Sequence, residues 1–285
     1  MNSKGKRFFF GMILIAIPVL IAGWFLFSRY IRPYHYQLLR PYTIAGGKRL
    51  VTTESRTGAD GALQVYIPEG PAVLGKESWE TTADVPAYWI RQIPVTLGEF
   101  KTYARESGEL GPHYRNEYLA EYDGWWNDLK PVVFVGWDQA EAYCEYYGGH
   151  LPTEAQWEKA ARGTDGTVLC WDDDEKAYDR ANYGNFYSGK TPAGWLPGGV
   201  SSYGLLDMSG NVREWVLDPM MAEDQPIHTD SWQEILQLPV GELGRILKGG
   251  GFSDDLAHLR LNWRDAHDPT SPGLIRGFRC AFEAE

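Results

Sequence analysis

The spacing of apolar and polar positions changes along the chain, and each spacing predicts a different element. Residues 8–27, FFFGMILIAIPVLIAGWFLF, are apolar on every face and carry no charge. A run of ~20 such residues is long enough to cross a bilayer core. A helix inside a soluble domain keeps a polar face. A cleaved signal peptide has a shorter apolar region and small residues at its cleavage site, where this chain would place Leu20. The run therefore predicts an uncleaved transmembrane anchor preceded by a short N-terminus, residues 1–7, which is expected to be cytoplasmic partly on account of the cysteines. Pro18 would kink such a helix, which membranes tolerate.

Regular spacing is then lost. Residues 28–62, with Pro33, Pro41, Gly46-Gly47 and a polar run over 52–61, read as a juxtamembrane linker with at most a short strand over 38–45. Alternation returns at 63–67, LQVYI, and predicts a first strand. The turn Pro68-Glu69-Gly70 then lets residues 72–75 pair back on it. A strand-like segment after residue 86 leads to a helix over 97–106. Thr96 is placed as its N-cap and Glu99 as the reciprocal capping-box residue.

A second helix is predicted over 137–148. Ala140, Tyr143, Cys144 and Tyr147 form its apolar stripe. Asp138 and Glu141 are read as its capping box and Gly148-Gly149 as its end. A third helix is expected over 154–162, N-capped by Thr153 with Glu154 in the first turn. Gln156, Glu158 and Arg162 read as surface positions. Beyond Gly163 the periodicity fails, and loops and short strands are expected.

Composition sharpens this picture in three places. Twelve Trp, 17 Tyr and 32 Gly among 285 residues suit a compact, loop-rich domain. A net charge of −11 with no visible basic face argues against a nucleic-acid partner. Lys4, Lys6 and Arg7 precede the apolar run while Arg29, Arg32 and Arg40 follow it, so flanking charge alone leaves its orientation open.

Candidate chemistry gathers in a few stretches. In residues 203–215, YGLLDMSGNVREW, Asp207, Asn211 and Glu214 crowd around a bend at Gly210. Oxygen side chains this close can cage a hard cation such as calcium, or simply be solvated in a turn. Asp254, Asp255 and His258, with His267 and Asp268 further on, offer oxygen and nitrogen ligands of the kind found in non-haem iron centres. The same residues would also serve as ordinary surface groups. Tyr114, Tyr118, Tyr122, Trp125 and Trp126 either pack a loop on the core or present an aromatic surface to peptide or glycan. The three cysteines are Cys144, Cys170 and Cys280, which leaves one unpaired. Cys170, in LCWDDD, has no local His or base and reads as a plain thiol.

The sequence resembles the formylglycine-generating enzyme, or sulfatase-modifying factor, family. GLLDMSGNVREW is similar to the signature GLYDMxGNVWEW. Residues 131–163, RILKGGG at 245–251 and GFRC at 277–280 match further family blocks in order. The resemblance covers roughly residues 63–283. It implies an α+β, C-type-lectin-like fold over 63–285 with few helices, short strands and much coil. It also implies a Cys144–Cys280 disulfide, which suits an oxidising compartment. The domain is therefore expected outside the membrane, in the periplasm if the source is bacterial. A structural calcium ion is implied at Asp207 and Glu214 by side chain and at Gly210 and Val212 by main-chain carbonyl. A second calcium site would begin at Asn182-Tyr183, but the loop carrying its remaining ligands is shortened here. Arg260 and Arg279 correspond to arginines that pair with carboxylates inside the fold.

The family's oxidation chemistry needs two copper-binding cysteines, spaced C-x4-C just after RGGS. Soft thiolates select Cu(I). The corresponding positions here are Asp254 and Leu259, neither of which can replace a thiolate. Formylglycine generation is therefore not expected. Two functions remain. One is a membrane-anchored binding or accessory module for a peptide, glycan or protein partner. The other is a metal-dependent oxidoreductase using residues such as Asp254 and His258.

Overall fold

The computed structural model describes residues 51, 53–76, 79–108, 125–171, 177–222 and 224–284, with the side chains of Trp125 and Trp126 excepted. The expected anchor (8–27), the N-terminal segment (1–7), most of the expected linker and Tyr114, Tyr118 and Tyr122 lie outside the described residues. Among the described residues no helix is long and apolar enough to cross a membrane.

The N-terminal half builds one sheet and a hairpin. Strand β1 (Ser55–Thr57) falls within the stretch read as linker and pairs antiparallel with β2 (Leu63–Ile67). Strand β3 (Gly70–Leu74) does not fold back on β2 as expected. It pairs instead with β4 (Thr81–Val85) as a separate hairpin. Lys159 explains the hairpin's placement: its ammonium donates to the carbonyls of Pro68, Gly70 and Val85, which joins the two strands at the open end of the pair. Strand β5 (Tyr88–Arg91) returns to β2 and completes the sheet interior.

The helices follow. In α1 (Leu97–Ser107) the Thr96–Glu99 capping box forms as read. A single turn, α2 (Trp125–Asp128), leads to α3 (Trp137–Tyr146). The N-cap of α3 is Gly136, and Gln139 rather than Glu141 reaches back to the cap N–H. Asp138 is the second residue of the helix, two past the cap, and so cannot serve as the N-cap. Glu141 instead accepts from the Leu151 N–H, fixing the chain after the helix.

Helix α4 (Glu154–Arg162) is capped by Thr153 as expected, but its polar residues are not on the surface. Glu158 and Arg162 are buried, and Gln156 is half-buried. The helix is wedged between the β3–β4 hairpin and the second sheet, so nearly every face is covered. Glu158 is accommodated because Lys248 and Arg162 meet its charge at 2.7 and 2.9 Å.

The second sheet has the order β8-β7-β6-β9 and holds the candidate site. Its strands are β6 (Arg213–Pro219), β7 (Arg245–Lys248), β8 (Asp265–His267) and β9 (Arg276–Phe278), with β6 and β9 parallel. A short helix, α5 (Trp232–Leu236), was not expected in this region. Ser231 and Glu234 form its capping box, a signal present in the sequence. The last strand, β10 (Ala281–Glu283), pairs with β5 and closes the first sheet. The Cys144–Cys280 disulfide forms, with Cα atoms 5.4 Å apart, and ties α3 to the chain between β9 and β10.

Candidate functional site

Strand β6 places two neighbouring residues on opposite faces of the sheet, as the two-residue period of a strand requires. Glu214 turns inward and is fully buried. Arg279 grips it with a fork, Nε to Oε2 at 2.7 Å and Nη2 to Oε1 at 2.7 Å, and the Trp157 indole N–H donates to Oε2. The remaining Arg279 N–H groups donate to the carbonyls of Arg91, Gln92 and Leu206. All five guanidinium donors are thus used, which is what permits a buried ion pair to persist.

Arg213 turns the other way. Its Nε and Nη2 donate to the two oxygens of Asp254, each at 2.8 Å, and Nη1 also pairs with Asp265. Asp254 accepts in addition from the Gly251 N–H. Asp254 and the buried Leu259 are the positions at which the resemblance would have put copper thiolates. A carboxylate committed to an arginine fork and a hydrocarbon side chain do not fit copper(I). The free thiol, Cys170, is buried and accepts a hydrogen bond from Ser209 at 3.6 Å.

The other residues of the 254–268 segment diverge. Asp255 caps the 3₁₀ turn Leu256–Leu259, accepting from the Ala257 and His258 N–H groups. His258 Nδ1 lies 2.6 Å from Asp255 Oδ1, and its ring meets the edge of Trp263. Asp268 accepts from the backbone and hydroxyl of Thr270. His267 sits on β8, where burial and then the Arg276 charge hold its pKa below the usual value. Among the described residues no three His, Cys, Asp or Glu side chains are grouped to hold a metal. Arg260, read as a buried arginine, is exposed. It follows a 3₁₀ turn whose apolar member, Leu259, takes the interior position.

The turn before β6 is built on left-handed backbone. Gly210 has φ 97°, and a Cβ there would lie 2.6 Å from the Asn182 carbonyl oxygen. Asp207 and Asn211 are also left-handed, at φ 59° and 68°, which short polar side chains tolerate. Asn211 donates to Asp207 and to the Thr191 carbonyl, and accepts from Asn182 and Thr191. Asp207 accepts from the Gly194 N–H at 2.9 Å but makes no ion pair among the described residues. Burial pushes its carboxyl up to about 6. The Asn182 amide oxygen is buried without a partner. The donors implied for calcium therefore differ in their partners: Asp207 accepts from the Gly194 N–H and the Asn211 amide, whereas Glu214 is paired with a cation, Arg279.

One feature escaped the sequence reading. Tyr178, Tyr183, Phe186 and Tyr187 form an aromatic ladder next to Asp254, with Phe186 57% exposed. The density of aromatics between 178 and 187 was the available signal.

Comparison with known proteins accords with this geometry. A family model, sulfatase-modifying factor enzyme 1-like domain, matches residues 48–284. The chain is 27% identical over 335 residues to inactive C-alpha-formylglycine-generating enzyme 2 of Mus musculus, covering 98% of this chain and 97% of that protein. It is 28% identical over 250 residues to hercynine oxygenase of Mycobacterium tuberculosis, covering 78% of this chain and 58% of that protein. The chain thus spans a little over half the length of that oxygenase. Among solved structures, PvdO from Pseudomonas aeruginosa superposes with a TM-score of 0.63 at 22% identity, covering 84% of this chain and 100% of that one.

Proposed function

Because the chain belongs to the sulfatase-modifying factor enzyme 1-like family, we propose that it is a member in which the fold serves binding rather than formylglycine generation. It acts as a membrane-anchored, extracytoplasmic accessory module for a peptide, glycan or protein partner. One observation carries the reading: the two positions of the family's copper thiolates hold Asp254, locked to Arg213, and buried Leu259. The likeness to a relative named as inactive supports it. The anchor is the apolar run 8–27, and the disulfide suits an oxidising compartment.

The test is to supply copper(I) and a cysteine-containing peptide to the full-length chain. No oxygen uptake and no loss of peptide thiol is expected. Stoichiometric thiol loss would overturn the reading.

A second reading, a metal-dependent oxidoreductase acting on a peptide or small molecule, is favoured by the likeness to an oxygenase. It needs Asp254 and His258 to converge on one ion, and their present partners hold them apart. Calcium belongs to the proposal only as a structural ion at Asp207, Gly210, Val212 and Glu214. Asp207, half-buried and making no ion pair among the described residues, speaks for it, and the Glu214–Arg279 fork speaks against it.

A further inference from the structure

The aromatic ladder beside Asp254 is a preformed surface. Tyr183 and Tyr178 stack with centroids 4.7 Å apart, and Phe186 lies flat on Tyr178 at 4.2 Å and 8°. Tyr187 stands edge-on to Phe186 at 5.0 Å and 83°. Both outer hydroxyls are pinned, since the Tyr187 hydroxyl donates to the Tyr178 carbonyl and the Tyr183 hydroxyl accepts from the Ala177 N–H. The loop itself is fastened to the neighbouring segment, Gly184 N–H to the Asp254 carbonyl and Asn185 N–H to the Phe252 carbonyl. Rings held this way lose little freedom on binding, which favours affinity. Yet Phe186 is 57% and Tyr187 37% exposed. A single exposed ring is ordinary, but a fixed stack of rings facing water marks a contact surface.

The chemistry of the occupant follows from charge. Elsewhere the protein covers its aromatic faces with its own cations. Arg56 lies over Trp89, Lys76 over Trp263, Arg245 over Trp137 and Arg264 over Trp79, at 4.1–4.8 Å. Among the described residues no cation covers Phe186 or Tyr187. One exposed acid sits against the ladder instead. Asp179 follows Tyr178, whose carbonyl holds the Tyr187 hydroxyl, and its charge acts on that hydroxyl. An aromatic face beside a carboxylate attracts cations, and the chain as a whole carries −11.

We propose that the Tyr178–Phe186–Tyr187 ladder, with Asp179 beside it, is the docking surface for a basic segment of a partner protein, taking an arginine or lysine side chain on the Phe186 ring. This rests on the binding-module reading and names the partner class.

The test uses the full-length chain and a labelled hexa-arginine peptide at near-physiological salt, with a hexa-glutamate peptide and a neutral hexasaccharide as competing probes. The expected result is binding of hexa-arginine that weakens about three- to tenfold in Phe186→Ala, the range of a single cation–π contact, with an unchanged melting temperature. Phe186→Leu keeps apolar bulk without a π face, so it should weaken binding similarly and guards against a folding artefact. Asp179→Asn should weaken it less. Equal binding by wild type and Phe186→Leu would overturn the proposal, because attraction would then be bulk charge alone. Phe186-dependent binding of the neutral hexasaccharide in place of hexa-arginine would also overturn it, while leaving the binding-module reading in force.

Discussion

Arg213 and Glu214 are adjacent in the chain, each is held by a side-chain fork, and they do different work. The Glu214–Arg279 pair is wholly enclosed, with every guanidinium N–H used. The Arg213–Asp254 pair is on the other face, with side chains 18% and 11% exposed. The inner pair joins β6 to the end of β9 and the turn at Leu206, so it belongs to the fold. The outer pair occupies the place where the resemblance to the family would have put copper thiolates, near the surface of the same sheet. The same pairing chemistry therefore has a large structural role where water is excluded and a small one where water is close.

Four expected outcomes put that contrast to the test. The largest concerns the inner pair. Glu214→Ala strands a buried arginine and should cost about 3–5 kcal/mol, read as a lower denaturant midpoint. A loss below 1 kcal/mol would mean that water reaches Arg279. Next is the bridge between Cys144 and Cys280, which closes a loop of 136 residues. Cys280→Ser should cost about 2–5 kcal/mol by the same measurement, with no added loss on reduction.

Asp207 should show itself through pH. Its carboxyl is raised from 3.8 to about 6 by burial, so the folded state holds this proton more tightly than the unfolded chain does. Its contribution to stability is therefore full below pH 4 and falls as pH rises from 4 to 6. Asp207→Asn should match wild type in acid and gain on it across that window in paired melting curves. Added calcium should raise the wild-type melting temperature above pH 6 if the ion sits at Asp207, and should leave Asp207→Asn unmoved. The smallest effect concerns the outer pair. Arg213→Ala should cost about 1 kcal/mol or less, and a loss comparable to that of Glu214→Ala would erase the distinction between the two faces.

What could be read in advance follows from how local each signal is. The Thr96 and Thr153 caps depend on residues three apart and formed where expected. The disulfide and the fold came through the family resemblance, since spacing alone pairs no cysteines. The burial of Glu158 and Arg162 could not be read, because on a helix both look polar. Their neutralising partner, Lys248, lies 90 residues from Glu158. The β3–β4 pairing was missed for the same reason: Lys159, far along the chain, holds the hairpin's open end. Within the site, the absence of thiols at 254 and 259 was legible. The Arg213 fork on Asp254, 41 residues away, was not.

The most direct test of the central claim is metal retention by the full-length chain. The protein would be purified without chelator, given copper(I) or iron(II), and desalted. The account predicts that neither metal is retained in an amount that depends on Asp254 or His258. Retention near one equivalent per chain, lost in Asp254→Ala or His258→Ala, would contradict it and favour the oxidoreductase reading instead.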